Sequence, residues 1–447
     1  MLNKAFKKFP ILLQNSAITF FNTYQYKVRH GGAYKKFRNY YAQSDSLSES
    51  DLMREVEAKK NNFFKYVKAH SNWYKRYEFD NLELLPILEK NDIINYLDEI
   101  KTIVEKEGLV SLTGGTTGAS MKVIYTKSDM QERFAILDHF RAQHGYKLGD
   151  KTAWFSGKNL ISEEHLLKGI CSHYDFINKI KFYSTFHINQ NNFDIYWNSL
   201  NHFQPEFIVG FPSSVYEICK IADSKGLKLR NKVKVFFPTA ETVLPEYREL
   251  IGKIMGCKLV DQYASSEGAP FILECEAGNM HIHPLTGIFE VVDENMQPAQ
   301  EGEILVTSFT TEGTPLIRYQ IGDRIKLAPQ EKQCLCGSCF PLVEKIEGRS
   351  TDYIQSPTHG KVNLGNISNS TKNIAGIIQF QVIQKELDRV NVLVVARPDF
   401  VAKEQSKFKK ALAERFGPQL EICLQVVDEI PKEKSGKFRF VKNSLNI

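Results

Sequence analysis

Val233-Lys234-Val235-Phe236-Phe237, then Pro238-Thr239-Ala240-Glu241, then Leu244, Tyr247, Leu250, Ile251 and Ile254 up to Gly256: this stretch decides the fold class. The first run is dominated by β-branched and aromatic residues, the pattern of a buried strand. The apolar residues that follow return every three or four positions, which predicts a helix, and Gly256 supplies its stop. A strand, a loop and an amphipathic helix make one unit of a layered α/β domain. Lys122 to Tyr125 and Phe207 to Val209 are further short strands alternating with helical stretches.

The surrounding sequence changes character on either side. Residues 1–100 read as mainly helical, with Asp51 to Lys68 a helix that Ser50 or Asp51 would start. From about 270 to 345 the chain becomes β-rich, with Ile304 to Ser308 and Ile317 to Leu327 as strands. After Gly348-Arg349 a compact α+β unit follows: Ile377 to Gln384, a turn at Asp388-Arg389, Val390 to Ala396, a helix from Ala402 to Phe416 stopped by Gly417, and Leu420 to Val427. The expected organisation is a large multi-layer N-terminal domain over 1–348 and a small C-terminal domain over 349–447.

With 447 residues, 42% hydrophobic and 25% charged, the chain can bury a full core, and disorder is excluded as its general state. The net charge of +6 is spread through mixed-sign sequence, which gives no argument for nucleic acid as a partner. The apolar patches from Phe9 to Phe21 are interrupted by Gln14, Asn15 and Thr19 and are too short to span a bilayer. They read as a docked helix of a cytosolic protein. The basic, aromatic opening (Lys4, Phe6, Lys7, Lys8, Phe9, Phe20, Phe21) also fits peripheral contact with a membrane surface.

The strongest chemical signal is Ser111-Leu112-Thr113-Gly114-Gly115-Thr116-Thr117-Gly118, with three glycines and four hydroxyl residues in eight positions. Such a turn can wrap phosphate oxygens with backbone N–H groups and hydroxyls. It is not a Walker loop, because Ala119-Ser120 stands where Lys-Ser/Thr is needed. Three later segments accompany it: Tyr263-Ala264-Ser265-Ser266-Glu267-Gly268, the run Pro315 to Asp323, and Lys434-Ser435-Gly436-Lys437. Eight cysteines in so long a chain do not make a disulfide framework. Cys334 and Cys336, with Cys275 and His281 upstream, could supply four ligands to a tetrahedral ion; His283 and Cys339 are the substitutes, and reduced, packed thiols the plain alternative.

In the order and separation of Thr113 to Gly118, Ala240-Glu241, Tyr263 to Glu267, Gly302 to Asp323, Gly348-Arg349 and Ser435-Gly436-Lys437, the chain resembles the adenylate-forming superfamily of acyl-CoA synthetases. Within it, the likeness is to the phenylacetate-CoA ligase and CapK-like capsule-biosynthesis branch. The resemblance implies that Thr113, Gly114, Gly115, Thr116, Thr117 and Gly118 hold the β- and γ-phosphates of ATP and that Tyr263 stacks on adenine. It places Ala240, Glu241 and Ser266 in the nucleotide site, Asp323 on the ribose, and Arg349 at the domain junction. Glu267 would ligate Mg²⁺, and Lys437 would stabilise the transition state at the α-phosphate. The family has an acidic hinge residue two positions after the arginine, where this chain has Thr351, with Asp352 next. The ligase branch also carries a Cys/His set at matching positions, so Cys275, His281, Cys334 and Cys336 are expected to bind a structural Zn²⁺.

The function expected from this resemblance is activation of a carboxylic acid as acyl-AMP and transfer to CoA. An alternative keeps adenylation and transfers to a sugar amine or hydroxyl, or to a carrier protein; a silent scaffold is the reading from another class. The acid pocket is expected around Trp154 to Gly157, Gly210 to Ser214 and Phe236 to Ala240, and a homodimer is compatible with the resemblance.

Overall fold

A computed structural model of the chain describes residues 9–112, 121–156, 161–185, 187–329, 331–347, 353–357, 360–363, 367, 369–371, 374–431 and 439–445. The first part is helical, as expected: α1 spans Ile11–His30, α2 Tyr34–Ser44 and α3 Glu49–His70. α3 starts earlier than the sequence reading placed it, because the Ser48 hydroxyl accepts from the backbone N–H of Asp51 and so caps the first turn. A two-stranded ribbon, β1 (Leu109–Leu112) and β2 (Lys122–Tyr125), then leads into α4 (Lys127–Gln143).

The layered α/β unit follows. Its strands are β3 (Thr152–Ser156), β4 (Ser172–Asp175), β5 (Ile180–Ser184), β6 (Phe207–Gly210), β7 (Val235–Pro238) and β8 (Lys258–Leu259), in the spatial order β4-β5-β3-β6-β7-β8. All neighbouring pairs are parallel except β4–β5. Helices α5 (Pro212–Ser224) and α6 (Pro245–Met255) follow β6 and β7, and Gly256 ends α6 in the left-handed conformation at φ 68°. β7 begins at Val235, not Val233, since the Val233 N–H is already used on the Met255 carbonyl. Leu244, Tyr247, Ile251 and Ile254 of the expected helix face join Phe155, Ile208 and Phe236 in one core.

The β-rich part is a seven-stranded antiparallel sheet of β9 (Gln262–Tyr263), β10 (Ile272–Glu274), β11 (Met280–Ile282), β12 (Gly287–Val292), β13 (Glu301–Ser308), β14 (Tyr319–Leu327) and β15 (Leu342–Glu347). Its order is β12-β13-β14-β15-β11-β10-β9, and its apolar face closes on Phe63, Phe64 and Val67 of α3. β14 starts at Tyr319, after Arg318, which sits at φ 50°. Beyond a short ribbon, β16 (Tyr353–Ser356) with β17 (Gly360–Asn363), come β18 (Ile377–Glu386), β19 (Arg389–Ala396), α7 (Ala402–Phe416), β20 (Glu421–Val426) and β21 (Val441–Asn443). The last four strands form one sheet in the order β20-β19-β18-β21, with Phe408, Leu412 and Phe416 of α7 in its core. Among the described residues, contacts that join this sheet to the α/β layer include Lys220 of α5, which donates to the Ile377 carbonyl at 2.6 Å and also to that of Ile378, and the Phe440 ring, which lies 6.2 Å from Tyr247.

Candidate active site and metal centre

The carboxyl ends of β3, β6 and β7 lie side by side, the edge of a parallel sheet where ligands bind in α/β folds. Trp154, Gly210 to Ser214 and Phe236 to Ala240 of the expected acid pocket are therefore neighbours, although Gly157 lies outside the described residues. After β7, Ala240 is held at φ 65°, a conformation that disfavours a side chain and is kept only where surrounding bonds enforce it. The enforcement is visible next door. Both Glu241 carboxylate oxygens accept from Ser213, one from the backbone N–H at 3.0 Å and one from the hydroxyl at 3.0 Å. Ser213 is in the first turn of α5, so the carboxylate also meets the positive end of a helix. Glu241 is thus a clamp between two strand-end loops.

Tyr263 and Asp323, sixty residues apart, are joined by a bond from the tyrosine hydroxyl to the carboxylate at 2.7 Å. In the sheet, β9 and β14 are separated by three strands, which in a flat sheet would place them roughly 19 Å apart. A direct side-chain bond therefore requires the sheet to roll strongly on itself. A bulge aims the carboxylate: Leu305 pairs with Gln320 and Glu303 with Arg324, so Ile321, Gly322 and Asp323 stand opposite the single residue Ile304. Gly322 allows this turn at φ 81°.

Between them in the chain, Glu267 is 5% exposed, on a loop whose neighbours are tightly tied. The Ser265 hydroxyl accepts from the N–H groups of Gly268 and Ala269, and the Ser266 carbonyl accepts from Ser111 at 3.2 Å and from the Tyr125 hydroxyl at 2.9 Å. Ser111 and Tyr125 belong to the two strands that bracket residues 113–120, so the anchors of the Gly/Thr segment dock beside Glu267. Gly268 is at φ 107°, and a Cβ there would lie 2.3 Å from Thr311 Cγ2. Thr113 to Gly118, Arg349 and Lys437 themselves lie outside the described residues.

Sequence reading missed what supports this loop from beneath. Arg133 of α4 is buried and donates to the carbonyls of Gly268 and Ala269 and to the Thr310 hydroxyl, at 3.0, 3.1 and 2.8 Å. Asp129, one turn earlier, accepts from the N–H groups of Glu312 and Gly313. Burial pushes the Asp129 carboxyl up, while those N–H groups and that of Thr126 pull it back. Helix α4 carries buried Asp129, Gln131, Glu132, Arg133, Asp138 and Arg141, so it presents no apolar stripe for a periodicity search to find. The available signal was the reverse: a strongly polar helix without a solvent-facing side.

On the same sheet, Cys275, His281, Cys334 and Cys336 converge, their ligand atoms all within 4.8 Å of one another. Cys275 Sγ is 3.6 Å from Cys334 Sγ, and Cys336 Sγ is 3.5 Å from His281 Nε2. Ligands on a tetrahedral zinc stand about 3.8 Å apart for two sulfurs and about 3.5 Å for sulfur and nitrogen, from the usual bond lengths. A disulfide between Cys275 and Cys334, which needs about 2.05 Å, is excluded. His281 Nδ1 is 2.9 Å from the Phe340 carbonyl, which can only accept, so Nδ1 carries the proton and Nε2 turns its lone pair to the cluster. The Asn279 amide donates to Cys334 Sγ at 3.3 Å. Burial raises both Cys334 and Cys336, but bonds from Cys336, His281 and Cys275 draw Cys334 below its usual range while Cys336 stays above it. One thiolate thus opposes the next, a repulsion that a divalent cation removes. The residues fit a structural ion, and neither substitute is needed: Cys339 is exposed, and His283 is buried against the rings of Tyr41 and Phe340.

Residues 354–444 match the model of the CapK C-terminal domain. The chain is 30% identical to Protein CapK of Staphylococcus aureus along the full length of both. It is 25% identical to the phenylacetate-coenzyme A ligase of Pseudomonas putida over 62% of each chain. Among solved structures, 2-hydroxyisobutyryl-CoA ligase in the postadenylation state, in complex with R3-HIB-AMP, shares the fold with a TM-score of 0.70 at 16% identity, covering 90% of this chain and 91% of the other.

Proposed function

The chain belongs to the CapK-like branch of the adenylate-forming ligase superfamily, and on that premise we propose that it is an AMP-forming acid-CoA ligase. A carboxylate oxygen of the substrate attacks the α-phosphorus of ATP, and pyrophosphate leaves. The thiol of CoA then attacks the acyl carbon of the acyl-AMP, and AMP leaves. The observation that carries this reading is the 2.7 Å bond between Tyr263 and Asp323, which brings two of the ordered motifs onto one wall.

In this reading the Tyr263 ring flanks adenine, and its hydroxyl holds Asp323 in place. The remaining acceptor sites of that carboxylate take the ribose hydroxyls. Glu267 is the carboxylate that would hold Mg²⁺, which supplies charge neutralisation to the phosphates when bound. Thr113 to Gly118 and Ser266 surround the phosphates, Ala240 and the Glu241 clamp shape the strand-end loops, and Lys437 places a positive charge beside the substrate carboxylate and α-phosphate. Zn²⁺ at Cys275, His281, Cys334 and Cys336 is structural. The domain boundary falls at 348/349, with Arg349 at the junction and the small domain turning between adenylation and transfer.

The acceptor has a second reading. The sequence likeness to phenylacetate-coenzyme A ligase covers 62% of the chain, whereas that to CapK covers all of it, which favours testing a sugar amine or hydroxyl, or a carrier protein, beside CoA. Acid-dependent exchange of labelled pyrophosphate into ATP, run without CoA across aryl, fatty, amino and hydroxy acids, tests the adenylation step. Exchange with one acid, abolished by Lys437→Ala while ATP still binds, supports the assignment; an unchanged rate in the variant removes Lys437 from it. AMP release that depends on CoA supports the first acceptor, and acyl-AMP that accumulates until an amino sugar is added supports the second.

A further inference from the structure

Helix α1 is docked inside out. The side it turns to the protein is polar: Gln14 bonds His165 at 3.1 Å, Asn15 accepts from the Tyr174 N–H at 3.1 Å, Thr19 accepts from the Phe176 N–H at 3.1 Å, and the Asn22 amide donates to Asp175 at 2.9 Å. On the opposite arc, at helical spacing, stand Leu12, Leu13, Phe20 and Tyr24, which are 64%, 55%, 80% and 61% exposed. The tip of the β4–β5 hairpin, held against Thr19 and Asn22, adds exposed Phe176 and Ile177. An ordinary surface helix has the opposite polarity, as α7 does with Phe408, Leu412 and Phe416 inward.

Among the described residues of α1 and the β4–β5 hairpin, the one carboxylate is Asp175 and the exposed charges are lysines. Along the sequence, residues 1–44 contain eight Lys and Arg and no Asp or Glu, so this segment more than accounts for the +6 of the whole chain and the remainder is slightly negative; Lys4, Lys7 and Lys8 of it lie outside the described residues. This corrects the expectation of an evenly spread charge. Lys27, exposed, lies on the apolar arc of α1, and Lys179 is exposed at the hairpin tip; Asp175 of the same hairpin is buried and engaged by Asn22 and Asn178. We propose that the outer face of α1 and the β4–β5 tip form a docking surface for an anionic lipid bilayer, with the aromatic and aliphatic side chains entering the headgroup boundary and the lysines meeting lipid phosphates. A second copy of the chain fits less well, because a twofold contact through this face would bring Lys27 and Lys179 together, and among the described residues of α1 and the hairpin the one carboxylate, Asp175, is buried. No helix among the described residues is long and apolar enough to cross a membrane, so the contact is with the surface alone.

The test uses the full chain in co-sedimentation with mixed phosphatidylglycerol–phosphatidylcholine vesicles and with pure phosphatidylcholine vesicles. Wild type is expected to bind the anionic vesicles, with binding weakened by added salt. The double variant Leu13→Asp/Phe20→Asp is expected to lose about tenfold or more in affinity, from the apolar area withdrawn. Lys27→Glu/Lys179→Glu, which leaves the apolar face intact, should also weaken binding, and Leu84→Asp, at an exposed leucine elsewhere, should not. Absence of wild-type binding, equal binding to both vesicle types, or equal binding by the double variant overturns the proposal. So does a wild-type dimer in light scattering that Leu13→Asp/Phe20→Asp dissociates while vesicles are ignored.

Discussion

The rolled seven-stranded sheet carries two sites of opposite construction. The Cys/His knot is local: Cys275 and His281 flank one tight hairpin, Cys334 and Cys336 come from the loop before β15, and β11 pairs directly with β15. The Tyr263–Asp323 wall is dispersed. It rests on a bulge in β14 and the roll of the sheet, while the buried Arg133 and Asp129 of α4 hold the neighbouring Glu267 loop and the 312–313 segment, and a clamp joins β6 and β7 in another sheet. A knot closed by a few neighbouring residues can hold an ion and brace a fold. A wall assembled from distant elements can surround a substrate as large as a nucleotide, but it inherits any error in the packing beneath it. Damage to the knot should therefore be read in stability, and damage to the wall in rate.

The largest effect that would separate them is loss of the proposed zinc. Cys275→Ser should abolish bound zinc, measured by atomic spectroscopy, and lower the melting temperature by about 5 °C or more, since metal binding free energy is folding free energy. The exchange rate per folded molecule should stay near wild type; a collapse of rate at full stability would break the comparison. Asp323→Ala should do the reverse, lowering pyrophosphate exchange by about a hundredfold with an unchanged zinc content, the scale of removing charge-assisted hydrogen bonds. Gly268→Ala lies between the two behaviours. Its Cβ meets Thr311, so about 1–3 kcal/mol of strain is expected and the Glu267 loop should shift, lowering both the melting temperature and the Mg²⁺-dependent rate.

Smaller changes sharpen the picture. Tyr263→Phe keeps the ring and removes the hydroxyl, so a loss of about fivefold, seen mainly in KM for ATP, is expected from one hydrogen bond. Behind the wall, burial, followed by the nearby Asp129 and Glu132, pushes the Glu312 carboxyl up to about 7 from an ordinary 4.5. Between those values the folded protein keeps a proton that the unfolded chain has lost, so this group makes stability fall as pH rises through the window. Glu312→Gln should melt higher than wild type above pH 7 and lose that advantage by pH 4.5; a constant difference across the range would remove the assignment.

Much of this is written in the sequence itself. In the C-terminal unit β18, β19, α7 and β20 were legible almost residue by residue, because the helix is amphipathic in the ordinary sense and Gly417 stops it, whereas the short strands β16, β17 and β21 were not read. The convergence of Cys275, His281, Cys334 and Cys336 was legible because thiols and imidazole are rare, chemically distinctive groups. α4 was not legible, since its buried charges carry no periodic apolar signal, and the inverted face of α1 was invisible because periodicity reports a stripe without saying which side is covered.

Residue chemistry and spacing by themselves determined the α/β class, the ligase likeness, the candidate ligands and the compact C-terminal unit, since propensity, capping and donor type act over a few neighbouring residues. Only tertiary structure decided that Tyr263 reaches Asp323, that Arg133 supports the loop of Glu267, that His281 and Cys336 converge with Cys275 and Cys334 while His283 and Cys339 stand outside that cluster, and that Leu12, Leu13 and Phe20 face outward. Each of these depends on how sheets roll and which faces meet, and those are set by packing among residues far apart in the chain.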